Sequence, residues 1–119
     1  MAKYEHRLSG DFAELLTRLD QGILNGSVSA KLEDRSDYTS SGVRCSIRVY
    51  ERFSVVGGNR LSLTVMVVGN DNELFVSAIT SGGSQAVFFK VNTLGEQAFL
   101  RRVIDILEDY QNHQEQANT

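Results

Sequence analysis

The chain has no proline, no tryptophan, one cysteine and two histidines in 119 residues. A single cysteine excludes an internal disulfide, and His6 and His113 lie too far apart for any paired metal-ligand spacing. Cys45 alternates with Val43, Ile47 and Val49, which reads as core packing rather than a reactive thiol, since a nucleophilic cysteine needs a polar, pKa-lowering setting. No apolar run approaches membrane-spanning length, and Met1-Ala-Lys-Tyr-Glu-His-Arg has no apolar signal core. Charge of one sign is also scarce: 12 basic against 15 acidic residues leave a net −3, which favours neither nucleic acid nor an anionic membrane as partner. These absences predict a soluble cytoplasmic protein with no cofactor and no metal.

What is present suits one globular domain. The residues are 41% hydrophobic and 23% charged, enough for one core without staples. Tyr4–Leu8 is compatible with a first strand near a sheet edge. Asp11 with Glu14 resembles a capping box, and Phe12, Leu15, Leu16, Leu19 and Ile23 then recur at helical spacing, so a helix is expected over about 11–25. Asn25-Gly26 offers a left-handed helix end. Val28–Glu33 alternates as a strand, and Asp34–Gly42 has the composition of a polar surface loop. Val43–Val49 alternates again, with a bulge or bend expected near Tyr50–Phe53. Gly57-Gly58-Asn59-Arg60 turns into a strand from Leu61, and Gly69–Glu73 turns into a strand from Leu74.

Thr80-Ser81-Gly82-Gly83-Ser84-Gln85 reads as a hairpin turn between strands Leu74–Ile79 and Ala86–Val91. Thr93 and Glu96 then match a capping box opening a helix whose broad stripe is Phe99, Leu100, Val103, Ile104, Leu107 and Tyr110. The expected domain is 1–112, with a disordered tail over 113–119. The fold class is α+β in two layers: an antiparallel β-meander of five to six strands, an N-terminal helix and a long C-terminal helix, in the order β-α-β-β-β-β-β-α.

That element order resembles helix-grip (START-like) folds, in which a sheet wraps a C-terminal helix around a cavity. Residue by residue, Tyr4-Glu-His-Arg, Gly42–Arg52 and Ser77–Lys90 resemble a bacterial family of small proteins known only as a domain of unknown function. The resemblance implies no activity, ligand or catalytic residue.

Two stretches could carry chemistry. Period-two alternation puts Arg44, Arg48, Tyr50 and Arg52 on one strand face, opposite Val43, Cys45, Ile47 and Val49. With Ser62, Thr64 or Lys90 nearby, such a face could hold a phosphate or carboxylate, with Tyr50 as a stacking surface. The plain alternative is a solvated sheet face whose arginines pair with Glu33 or Glu51. Backbone amides of Ser81, Gly82, Gly83 and Ser84, beside Thr80, could form an anion nest, or the glycines could simply make the turn. No residue is picked as catalytic: Gly-x-Ser-x-Gly is absent and only His6 could serve a serine as base. The leading expectation is a non-enzymatic domain binding a small molecule or anionic ligand. The alternative is a homo-oligomeric interaction module, because Met66, Val68, Phe75, Ile79 and Phe88 fall opposite Val65, Val67, Leu74, Val76 and Phe89, leaving both faces of the central strands apolar.

Overall fold

A computed structural model of the chain describes residues 1–54, 59–82 and 89–117. Its elements run β1 (Ala2–Ser9), α1 (Phe12–Asn25), β2 (Lys31–Ser40), β3 (Val43–Ser54), β4 (Asn59–Asn70), β5 (Glu73–Gly82) and α2 (Phe89–Ala117). This is the α+β architecture that the alternation predicts, with five strands described. They form one antiparallel sheet in the order β1-β5-β4-β3-β2, so that β2 to β5 are a meander and β1 closes beside β5.

Helix α1 forms where its signals place it. The Asp11 carboxylate accepts from the Glu14 amide at 2.8 Å, and Phe12, Leu15, Leu16, Leu19 and Ile23 are buried. Its end differs from expectation, because Gly26 stays right-handed (φ −77°). What Gly26 supplies is room: a Cβ there would meet Arg102 Nε at 2.8 Å, and Arg102 donates from that nitrogen to the Gly22 carbonyl at 2.8 Å. A side chain would break this tie between α1 and α2.

Other expectations are corrected. The segment Asp34–Ser40 is strand rather than loop, and Val28 is fully exposed ahead of it. A hairpin turn at Ser41 and Gly42 (φ 51° and 82°) lets these polar residues pair with Val43–Val49 of β3. Backbone pairing needs no apolar side chains, and a charged, solvated strand suits a sheet edge. The bulge expected near Tyr50–Phe53 is absent there, since β3 pairs in continuous register with β4; it lies on β2, between Leu32 and Asp34. Phe89–Val91 begins α2, where a strand was expected, and residues 83–88 of the expected glycine hairpin lie outside those described. Thr93 therefore sits inside the helix rather than capping it. Glu96, 5% exposed, pairs instead with the Met1 amine at 2.6 Å. At the other end α2 runs on to Ala117, through most of the segment expected to be a disordered tail, which contains no helix breaker.

The core lies between the helices and one face of the sheet. It unites Leu15, Leu19 and Ile23 of α1, Leu61, Leu63, Val65 and Val67 of β4, Leu74, Val76 and Ala78 of β5, and the stripe of α2. Phe99, Val103, Leu107 and Tyr110, each at most 1% exposed, occupy the layer where a helix-grip fold keeps its cavity.

Candidate functional site

The sheet has two faces, and the structure assigns them opposite to the expectation for β3. Arg48 pairs with Val65 and Val65 with Ala78, so the arginine-bearing face of β3 shares its side with the core residues of β4 and β5. Tyr50 is fully buried and Arg48 is 8% exposed, beneath α1. Cys45, expected in the core, lies half-exposed on the other face, with Ile47 and Val43 more exposed still.

Burial of an arginine demands a counter-charge. Asp20 of α1 supplies it: one carboxylate oxygen pairs with the Arg48 guanidinium and the other accepts from the Tyr50 hydroxyl, while Arg48 Nε donates to Ser46 Oγ at 3.3 Å. Burial pulls the Arg48 pKa down, and the hydrogen bond and charge of Asp20, with Tyr50 and Asp37 adding to it, more than offset the pull and leave it raised. Burial, then Asp20, pushes the Tyr50 phenol well above its ordinary value. The sequence held one signal of this cluster. Asp20 follows Leu19 and stands four residues after Leu16 and three before Ile23, on the margin of the apolar stripe.

The remaining candidates are spread out. The Arg44 guanidinium lies 4.5 Å from the Phe12 ring centroid and that of Arg52 lies 4.2 Å from Phe99. Burial lowers the pKa of Arg52. Thr80 is buried and donates to the Ala2 carbonyl at 3.3 Å, tying β1 to β5. Ser81 and Gly82 end β5 opposite Ser62 and Leu61. Gly83 and Ser84 lie outside the described residues. The structure thus joins Arg48 and Tyr50 through Asp20 and leaves Arg44, Arg52, Thr80, Ser81 and Gly82 at separate places. Among the described residues, no three His, Cys, Asp or Glu side chains converge as a metal site, and no helix is long and apolar enough to cross a membrane.

The face turned away from the helices is a second candidate. Register aligns its side chains in rows across all five strands: Tyr38, Cys45, Val68, Phe75 and Arg7 in one, Ser36, Ile47, Met66, Ser77 and Glu5 in the next, then Asp34, Val49, Thr64, Ile79 and Lys3. The three middle strands are mostly apolar here, whereas β1 contributes Lys3, Glu5 and Arg7. Ile47 is 40% and Ile79 38% exposed, and Tyr38, on the β2 edge, reaches 70%. At the β1 side the surface dips into an open groove of about 710 Å³, lined among others by Arg7, Ser9, Val68, Asn70, Glu73 and Phe75.

A search among curated proteins finds no match to this chain. Residues 1–111 match the model of a family of unknown function, DUF6054, and the chain belongs to that family.

Proposed function

We propose that this chain is a non-enzymatic interaction module that self-associates through the open face of its sheet. One observation carries the reading: Val43, Cys45, Ile47, Val49, Met66, Val68, Phe75 and Ile79 form a continuous apolar surface that neither helix covers. Sheets with two apolar faces are normally covered on both, and an exposed patch of this extent marks an interface. The setting we propose is a bacterial cytoplasm, which fits an unpaired, half-exposed Cys45.

An anionic small molecule is the second reading, and the groove beside Arg7 favours it: its volume is in the range of ligand sites, and among the described residues no carboxylate pairs with Arg7. The β3 arginines support it less, because Arg48 and Tyr50 are already bound to Asp20 and the guanidinium groups of Arg44 and Arg52 lie over aromatic rings.

Light scattering from micromolar to millimolar protein tests the first reading. A dimer is expected, and Ile47→Asp should convert it to a folded monomer. A wild-type monomer throughout that range would overturn self-association and leave the groove ligand as the account to pursue.

A further inference from the structure

We infer that two copies meet open face to open face about a two-fold axis along β4, with Tyr38 of each copy seated in the Arg7–Phe75 groove of the other. The inference rests on the self-association proposed above and specifies its geometry.

The strand order makes the argument. Because β4 is the middle strand, a two-fold axis along it sets β5 over β3 of the second copy and β1 over its β2, with each row facing the same row. Tyr38 shares a row with Arg7 and Phe75, so Tyr38 of the second copy arrives over the groove. In the monomer this tyrosine is 70% exposed, an apolar ring with nothing to cover it. In the groove it gains Phe75 and Val68 for its ring, Arg7 for its π face, and Asn70 or Glu73 for its hydroxyl. A large aromatic entering a partly apolar depression is the usual anchor of a protein interface.

Charge at the sheet edges favours the same axis, and Arg60, which this axis sets against its own copy, already pairs with Glu51 at 3.1 Å. Lys3 and Asp34 share the next row but one, so each Lys3 faces the other copy's Asp34. An axis across the strands through the Glu5 row would instead set Glu5 against Glu5 and Lys3 against Arg7, both repulsive. Aligned sheet packing brings a rotation of about 30°, which displaces the edge strands by about 5 Å, a shift that the long side chains of Lys3 and Tyr38 can span. Five strands of this length present a face of about 700 Å², close to the roughly 800 Å² per partner of a standard interface.

Sedimentation equilibrium on the full chain tests the arrangement. Tyr38→Ala should raise the dimer dissociation constant at least 30-fold, with the dilute-state melting temperature and circular dichroism unchanged, whereas Tyr38→Phe should raise it only a few-fold. Lys3→Asp and Asp34→Lys should each weaken the homodimer. Mixed together they should restore it as a heterodimer, since both Lys–Asp contacts then re-form across the interface. This swap decides the matter even if Tyr38→Ala folds poorly. A dimer indifferent to Tyr38→Ala, or a mixture that forms no heterodimer, would overturn this geometry while self-association stands. A wild-type chain that never dimerises would remove both.

Discussion

The two faces of this sheet are made by alternate residues of the same strands, yet the covered face holds arginine and tyrosine from β3 while the open face holds valine, cysteine and isoleucine. Polarity along β3 points one way and its burial the other. The difference is explained by the neighbours. In β4, Leu61, Leu63, Val65 and Val67 stand against Ser62, Thr64, Met66 and Val68, and the first set buries more apolar surface. Pairing then carries β3 with it: Arg48 lies beside Val65 and Tyr50 beside Leu63, and no strand can turn over alone without losing register. A strand thus follows the summed burial of the sheet, and α1 supplies Asp20 to make the buried cation tolerable.

The contrast is sharpest in the core. Leu63→Ala, at a fully buried position, should cost about 3 kcal/mol in urea unfolding, whereas Met66→Ala on the open face should cost under about 1 kcal/mol in the dilute monomer. Equal losses would mean that the open face is covered within the monomer and would break the comparison. Next in size, Asp20→Ala leaves Arg48 buried without its counter-charge. A loss of about 2–3 kcal/mol is expected, moderated because the Asp20 side chain is 27% exposed, and no change would mean that Arg48 swings out to solvent.

A smaller effect comes from pH. The folded-state pKa of Tyr50 is raised above the ordinary 10.0, so above pH 10 the unfolded chain releases a proton that the folded chain retains. The corresponding stability is present below pH 10 and is lost as pH rises, at about 1.4 kcal/mol per pH unit. Tyr110, also raised, by burial first, adds to the slope. Urea midpoints between pH 9 and 11 should fall for the wild type and fall less steeply for Tyr50→Phe; identical slopes would show that Tyr50 ionises as freely folded as unfolded.

Local signals announced what local physics builds. The Asp11 cap and the Phe12–Ile23 stripe marked α1, and alternation marked the strands through Leu61 and Leu74. Asp34–Ser40 was illegible because its pairing with β3 depends on main-chain bonds that polar side chains neither reveal nor prevent. The first turn of α2 reads as strand because Phe89-Lys90-Val91 has strand composition, a preference too weak to fix secondary structure by itself. Of the candidate site residues, Arg48 and Tyr50 do meet, but the partner that joins them sits on a helix 28 and 30 residues away in sequence.

By itself, then, the sequence determined which residues share a face, because side-chain alternation is a property of the extended backbone and holds wherever the strand lies. It also determined that the central strands are apolar on both sides. Tertiary structure alone decided which side the helices cover and which stays open, since that choice is made by burial summed over five paired strands and by the position of one aspartate on α1.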